Sequence, residues 1–379
     1  MLALTSRVLE AVVIGCAVLC VALTVWLWPR LAHRGLRWVA ARLTAVLLTQ
    51  GLLVAALGLA ANAYFEFYGT WADLLGTNEA GQVSIRQVSG DDAALTAALV
   101  RRDGSAAIRR FHDLPAGPPA AAGRLESVHL AGRRTGIDQQ AYVYLPPQYF
   151  QPAFRTRRFP VVVAFTGYPG STGSVVERLR LPQTADALER AGRMRPAVLV
   201  IVSQTVAPPR DTECVDVPDG PQAETYLTED LPEAVHSAFR VGFGARSWGL
   251  LGYSAGGSCA LELTMRHPRV FSAAVSMGGD YAVVPDRSTG RLFAGPVQRE
   301  EHDLVWRLGH LPAPPVRVLV ASSREGERDY RSTEAFLAAV HPPMSASTEI
   351  LPSGGHNYGT WGRELPPALR WLVNGLAPA

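Results

Sequence analysis

A serine flanked by glycines stands where an apolar run gives way to a helical pattern. The segment "WGLLGYSAGGSCALELTMRHP" starts at Trp248 with a short apolar stretch, and its later apolar residues recur at helical spacing up to His267. Ser254 lies between the two, with Gly252 and Gly256 two residues before and after it. A sharp strand-to-helix turn leaves little room for side chains at those positions. The pattern therefore predicts the G-x-S-x-G elbow of a nucleophilic serine, although plain connections and phosphate-binding turns also carry it.

A serine hydroxyl is a poor nucleophile unless a histidine takes its proton and a carboxylate orients that histidine. The chain has nine histidines. His356 is the one that follows the last predicted strand, 348–351, and precedes a terminal helix predicted near 366–376. This is the position of the base in a fold with the chain order serine, acid, histidine. We therefore assign the role of base to His356.

Three carboxylates in five residues follow the preceding predicted strand, 316–321, in the segment "VRVLVASSREGERDY". The acid that orients the histidine usually stands within a few residues of the end of that strand, which favours Glu325. Asp329 is the alternative acid. Asp280, which follows an earlier predicted strand, is a third candidate, and Glu327 is interpreted as a solvated loop charge.

The developing oxyanion needs hydrogen-bond donors from two places in the chain. One backbone N–H normally comes from the residue after the nucleophile, here Ala255, and the other from a loop after an earlier strand. The segment "FPVVVAFTGYPGS" supplies such a loop, and its donor is predicted to be the N–H of Tyr168. A simple tight turn at Gly167 and Gly170 is the alternative interpretation.

These motifs, together with "ETYLTEDLP" at 224–232, resemble the putative-esterase family of α/β hydrolases. That family includes the esterase D type S-formylglutathione hydrolases and the secreted mycolyltransferases of the antigen 85 complex. The resemblance covers roughly 125–376 and implies the nucleophile and base roles for Ser254 and His356. In the mycolyltransferases an aspartate and an arginine beside the oxyanion residue hold a sugar, whereas this chain has Thr166 and Pro169 there. Trehalose mycolylation is therefore not expected.

The predicted strands indicate the fold class. Helical patterns separate most of the later strands among the eight that are predicted, which are 126–130, 141–145, 161–165, 197–202, 248–251, 273–277, 316–321 and 348–351. This alternation predicts an α/β-hydrolase fold, a mostly parallel sheet covered by helices on both faces, in a catalytic domain at 124–379. Residues 76–123 are predicted to be a linker with at most one helix, 93–100, because their Pro/Gly-rich and alanine-rich stretches show no strand pattern.

The N-terminal region, 1–75, is predicted to be a membrane anchor. Two uncharged apolar stretches, 11–28 and 43–64, are each long enough to cross a bilayer. Four arginines between 30 and 42 place the connecting loop in the cytoplasm and both termini outside. We therefore expect a multi-pass plasma-membrane protein with its catalytic domain on the extracytoplasmic side. A buried soluble hairpin and a cleaved signal sequence are the alternatives.

Cysteine usage and charge narrow the remaining possibilities. Cys214 and Cys259 are expected to form a disulfide if the domain lies in an oxidising compartment, and two separate buried thiols are the alternative. No cysteine or histidine spacing indicates a metal site, and no cofactor is expected. All 36 basic residues are arginine and the net charge is only +3, without a basic run interleaved with aromatics, so nucleic acid is not an expected partner.

Taken together, the residues predict a membrane-anchored serine esterase or acyltransferase that works through an acyl-serine intermediate. A small-molecule or lipid ester is the expected substrate, and the membrane is the expected partner. A catalytically silent α/β-hydrolase domain that serves as a binding or cell-envelope scaffold is the alternative from a different functional class.

Overall fold

The computed structural model describes residues 7–65, 99–104, 108, 111, 114, 116–283, 285, 288–327 and 330–377. The chain divides into two units, residues 1–81 and 82–379. The predicted helix at 93–100 and the alternative acid Asp329 fall wholly or mostly outside the described residues.

The first unit is a helical hairpin. It consists of α1 (Arg7–Leu31) and α2 (Leu36–Phe65), and both helices contain spans long and apolar enough to cross a membrane. Most of their large apolar side chains are exposed within the chain, which is not the arrangement of a buried soluble hairpin. The two helices contact each other at the Thr49 hydroxyl of α2. Its oxygen lies 3.2 Å from the Thr24 hydroxyl and 3.3 Å from the Cys20 sulfur, both in α1.

The second unit is built on one nine-stranded sheet of order β1-β2-β3-β5-β4-β6-β7-β8-β9. Strands β1 to β3 and the β3–β5 pair are antiparallel, and every other pair is parallel. The strands are β1 (Val100–Arg102), β2 (Arg124–Ala131), β3 (Asp138–Leu145), β4 (Val161–Phe165), β5 (Val198–Val202), β6 (Trp248–Tyr253), β7 (Ala273–Met277), β8 (Arg317–Glu325) and β9 (Ser345–Ser353).

Helices cover both faces of this sheet because the central strands are apolar on both sides. In β4, for example, Val161 and Val163 pack into one core layer while Val162 and Ala164 pack into the other. The helices are α3 (Pro119–Ala122), α4 (Thr172–Glu177), α5 (Leu181–Arg190), α6 (Ala223–Thr225, a π-helical turn Tyr226–Asp230, and Leu231–Ala238), α7 (Ala255–Arg266), α8 (Pro296–Glu301), α9 (Leu304–His310), α10 (Tyr330–Ala339) and α11 (Tyr358–Gly375). Short 3₁₀ turns lie at Pro147–Phe150, Pro152–Phe154 and Ala245–Ser247.

The differences from the sequence-based expectation include an additional edge strand and an earlier start of the terminal helix. The predicted linker 76–123 contributes Val100–Arg102 to the sheet as an edge strand, which is too short for a period-two pattern to reveal. The terminal helix begins at Tyr358, well before the predicted start at 366, and continues through Pro366 and Pro367. The carbonyls that these prolines leave without an N–H donor belong to residues 362 and 363, which are exposed to solvent.

Candidate active site

Ser254 stands at the corner between β6 and α7 in a strained backbone conformation. Its φ of 54° and ψ of −134° lie in a region that residues other than glycine rarely adopt. The conformation is held from both sides, because its N–H donates to the Met277 carbonyl at 3.0 Å and its carbonyl accepts from the Gly257 N–H at 2.8 Å. The strain turns the hydroxyl out of the strand and towards the loops that follow the parallel strands.

The glycines around the serine are sterically required. A Cβ on Gly252 would lie 2.0 Å from the Gly256 carbonyl oxygen, and a Cβ on Gly256 would lie 2.3 Å from the Thr166 carbonyl oxygen. Neither backbone atom can move without moving a strand or the start of α7. The close approach that the sequence pattern predicts is therefore present in the structure.

His356 contacts the serine hydroxyl directly. Its Nε2 lies 2.8 Å from the Ser254 Oγ. The loop that carries it is fixed by the N-cap of α11, where the Asn357 side chain accepts from the N–H groups of Gly359 and Thr360. The Gly355 N–H donates to the Thr360 hydroxyl at 2.9 Å, so the residues on both sides of His356 are anchored to the helix.

The carboxylate against His356 is Glu327. Its Oε1 lies 2.7 Å from the His356 Nδ1, and its side chain is only 7% exposed. This places a carboxylate at one nitrogen of the ring and the serine hydroxyl at the other. An Nδ1–H that donates to Glu327 leaves Nε2 free to accept the Ser254 proton.

The expectation for Glu325 is corrected by this geometry. Glu325 is the last residue of β8, it pairs with Ser353 of β9, and it is exposed. Gly326 then adopts a φ of +92°, and a Cβ there would lie 1.9 Å from the Gly354 carbonyl oxygen. This glycine turns the chain back towards the sheet, so the residue after the turn reaches the histidine, and the solvated-loop interpretation of Glu327 is wrong.

Asp280 is not the carboxylate at Nδ1 of His356 either, since Glu327 takes that place. It lies after β7, it is exposed, and its backbone N–H donates to the Ser258 hydroxyl at 2.8 Å. The signal that sequence reasoning missed was Gly326 between two glutamates, since a glycine is the residue expected where a strand ends in a turn with positive φ.

Tyr168 and Ala255 lie on the two segments that meet at the serine. Ala255 is the first residue of α7, where backbone N–H groups have no intrahelical acceptor. The loop after β4 approaches closely, because a Cβ on Gly167 would lie 3.0 Å from the Ser254 Cβ. The Tyr168 hydroxyl donates to the Pro209 carbonyl at 2.7 Å, which fastens this loop to the one that follows β5.

Aromatic side chains pack against the histidine. Trp361 meets the His356 ring edge-to-face, with 5.0 Å between ring centroids. Tyr358 packs edge-on against Trp361, and its hydroxyl lies 2.8 Å from the Tyr253 hydroxyl. These contacts restrict rotation of the imidazole and keep one side of it out of water.

The "ETYLTEDLP" segment contacts the C-terminal end of α7, the helix that follows the nucleophile. Glu224 accepts hydrogen bonds from Arg266 at 2.8 Å and from His267 at 2.6 Å, at the C-terminal end of α7. Burial acts to raise the pKa of Glu224, but the hydrogen bonds from His267 and Arg266 outweigh it and lower the pKa to about 2. The segment thus fixes the helix that begins immediately after the nucleophile.

A disulfide joins Cys214 to Cys259, as the sequence analysis predicts. Their Cα atoms are 5.8 Å apart, and the bridge ties the loop after β5 to α7, one turn beyond Ser254. Among the residues that the structure describes, no group of three or more His, Cys, Asp or Glu is arranged to hold a metal ion.

Part of the chain is similar in sequence to known proteins. Residues 132–306 match the model of a family described as putative esterase. A Corynebacterium glutamicum protein described as uncharacterized is 31% identical over 162 residues, which is 41% of this chain and 37% of that protein. The chain thus aligns with well under half the length of this relative. The matched residues lie in the second unit and include Ser254 but not Glu327 or His356.

Solved structures share the architecture at low sequence identity. A ferulic acid esterase superposes with a TM-score of 0.58 at 16% identity, covering 67% of this chain and 99% of its own. An S-formylglutathione hydrolase from Agrobacterium tumefaciens superposes with a TM-score of 0.57 at 16% identity, covering 68% of this chain and 97% of its own. A fluorophosphonate-binding serine hydrolase from Staphylococcus aureus superposes with a TM-score of 0.54 at 15% identity, covering 68% of this chain and 100% of its own. The predicted α/β-hydrolase fold is confirmed.

Proposed function

We propose that this protein is a membrane-anchored, extracytoplasmic serine esterase or acyltransferase that works through an acyl-Ser254 intermediate. The observation that carries the proposal is the chain of two hydrogen-bond contacts from Ser254 Oγ through His356 to Glu327, at 2.8 Å and 2.7 Å. Nucleophile, base and orienting acid are the three groups that acyl transfer through serine requires.

In the first step, the Ser254 oxygen attacks the ester carbonyl while its proton passes to Nε2 of His356. Glu327 remains ionised, holds the tautomer with hydrogen on Nδ1 and stabilises the imidazolium that forms. The backbone N–H groups of Tyr168 and Ala255 are the proposed donors to the oxyanion. The imidazolium then returns its proton to the leaving alcohol, which departs as the acyl-serine ester forms.

In the second step, a water or an alcohol attacks the acyl-serine while His356 again takes a proton. The imidazolium then returns this proton to the Ser254 oxygen as the bond between that oxygen and the acyl group breaks. Water gives hydrolysis and releases a carboxylic acid, whereas an alcohol gives a new ester. Ferulic acid esterase and S-formylglutathione hydrolase share this fold, so carboxylic esters and thioesters are the substrate classes to test first. Small-molecule and lipid esters are both included in the proposal.

Three features support placement of the catalytic domain outside the cytoplasm. The two apolar helices expose most of their large side chains, the segment that joins them is rich in arginine, and the domain carries a disulfide. A cytoplasmic turn between the helices puts the C-terminal domain on the other side of the membrane. Alkaline phosphatase fused after residue 379 should be active in this orientation, and a cytoplasmic domain would leave the fusion inactive.

The catalytic assignment is tested by turnover of a short p-nitrophenyl ester. Ser254→Ala and His356→Ala should each lower kcat by several orders of magnitude while thermal unfolding stays nearly unchanged. The double variant should be little worse than either single variant, because the groups act as one unit. Losses that multiply in the double variant would contradict the assignment.

A further inference from the structure

A buried carboxyl group lies behind the proposed triad and takes no part in the steps above. Glu364 is on the inner face of α11, one turn after Thr360, and it is fully buried. Neither of its side-chain oxygens has a hydrogen-bond partner among the described residues. A buried carboxyl left in this state is costly, so its presence calls for a physical explanation.

The neighbours of Glu364 are also acidic. Glu349 of β9 and Glu327 interact with it electrostatically, and Arg363, beside it on α11, opposes them. The Oε2 atoms of Glu327 and Glu349 are likewise buried without a hydrogen-bond partner among the described residues. Glu364 is therefore fully buried within electrostatic reach of two other carboxyl groups, and its ionisation would place its charge against theirs.

Protonation of one of these three carboxyl groups relieves the repulsion between their charges. Burial, and then the charges of Glu349 and Glu327, raise the pKa of Glu364 to about 8. Burial alone raises the pKa of Glu349 to about 7. Glu327 faces His356, where an ionised carboxylate is required, so the proton belongs on Glu364 at neutral pH. An uncharged carboxylic acid carries an O–H donor, and the adjacent Glu327 carboxylate offers an acceptor.

We infer that Glu364 is a positioning residue for the triad: as an uncharged acid it donates a hydrogen bond, through a buried water, towards the Glu327 carboxylate and so holds Oε1 against His356. This inference rests on the proposed function. It adds a fourth member to the chain of groups that starts at Ser254, one that acts on the histidine only through Glu327.

The inference predicts different effects for two replacements of Glu364. Glu364→Gln keeps an uncharged donor of the same shape, so kcat at pH 7 should stay within about threefold of the wild type. Glu364→Leu removes the donor and should lower kcat about tenfold with KM unchanged, which is the effect of losing one hydrogen bond. A residue that serves only to fill space would tolerate leucine at least as well as glutamine.

The pH dependence of kcat distinguishes a hydrogen-bonding role of Glu364 from a role in packing alone. Ionisation of Glu364 above about pH 8 removes the donor and repels Glu327. The wild-type kcat should therefore fall as the pH rises above about 8. Glu364→Gln should abolish this alkaline fall. Glu349→Gln should shift it to lower pH, because removing the Glu349 charge lowers the pKa of Glu364. An alkaline fall that Glu364→Gln leaves unchanged would overturn the inference, as would one that Glu349→Gln abolishes.

A spectroscopic measurement on the full chain in detergent separates this inference from the proposed function. Infrared difference spectra between about pH 7 and pH 9 should show a loss of protonated-carboxyl C=O absorption that is smaller in Glu364→Gln than in the wild type. The part that remains in the variant comes from Glu189 and Glu349, since burial raises their pKa values to about 8 and about 7. A loss of C=O absorption as large in Glu364→Gln as in the wild type would overturn the inference even if the enzyme is active. A wild-type chain that hydrolyses no ester, but shows this greater loss of C=O absorption, would instead contradict the proposed function and leave Glu364 protonated as inferred.

Discussion

The Glu327 carboxylate lies 2.7 Å from Nδ1 of His356, two residues beyond the end of the strand that leads to it. The intervening Gly326 has a φ of +92°, which sends Glu327 back towards the ring. Glu325, at the strand end, remains paired with β9. A single glycine therefore decides which of two neighbouring glutamates reaches the histidine.

This relationship predicts a large difference between two amide substitutions. Glu327→Gln should lower kcat by up to about four orders of magnitude, because an amide no longer holds the required histidine tautomer. Glu325→Gln is the matched control and should change kcat by less than about threefold. Steady-state kinetics on a p-nitrophenyl ester measure both. A larger loss for Glu325→Gln would return the acid role to that residue, and two mild effects would direct attention to Asp329.

The turn itself is open to test through Gly326→Ala. A Cβ at this position would meet the Gly354 carbonyl at 1.9 Å, so the turn must shift and carry Glu327 with it. Since a displacement of about 1 Å at a catalytic group costs about a hundredfold, kcat should fall by about that factor. Gly192→Ala is the control, because Gly192 has a φ of +65° but nothing within 4 Å of a new Cβ. Equal kcat in the two variants would show that the turn does not position the acid.

Glu224 should contribute to stability in a defined pH range. Its carboxyl has a pKa of about 2 in the folded chain against an ordinary value of 4.5, so the folded state favours the ionised form. The stabilisation is complete above about pH 4.5 and is lost as the pH falls towards 2.

At pH 7, Glu224→Gln should therefore lower the free energy of unfolding by about 3 kcal/mol, since it leaves Arg266 without its charged partner. Denaturant unfolding measures this value, and the difference from the wild type should shrink below about pH 4. Glu233→Gln, at a half-exposed ion pair, should have little effect at either pH. A constant difference at all pH values would contradict the role of the Glu224 charge.

The disulfide should stabilise the catalytic domain rather than take part in the chemistry. Cys214 and Cys259 are 45 residues apart in sequence, and closing a loop of that length is typically worth about 2–4 kcal/mol. Cys214→Ser with Cys259→Ser should lower the free energy of unfolding by that amount and retain ester hydrolysis at low temperature. Cys16→Ala, in α1, is the control. A double variant that is as stable as the wild type would contradict this role.

The parts of the structure that the sequence predicts well are those governed by local rules. The strands Val161–Phe165 and Ala273–Met277 match their predicted bounds, because continuous apolar runs between turn signals have few other stable arrangements. The elbow around Ser254 is equally local. Its glycines are required by steric contacts with residues a few positions away and with the adjacent loop after β4.

The choice of acid was beyond local reasoning. Glu325 and Glu327 have the same chemistry, and what separates them is the contact of Gly326 with Gly354, which lies on a distant part of the chain. The predicted start of the terminal helix is also wrong: the helix begins at Tyr358, after the Asn357 cap and eight residues before the predicted start. Buried Glu364 gives no sequence signal, because a glutamate in an amphipathic helix is ordinarily a surface residue.

The central claim, that Ser254 is a nucleophile activated by His356, is tested most directly by covalent labelling. The folded full-length chain in detergent is treated with a fluorophosphonate and analysed by peptide mass spectrometry. We expect one adduct on Ser254, formed rapidly in the wild type and in Glu325→Gln, and at least about a hundredfold more slowly in His356→Ala and Glu327→Gln. Absence of an adduct on Ser254 in the folded wild type, or labelling that His356→Ala leaves unchanged, would contradict it.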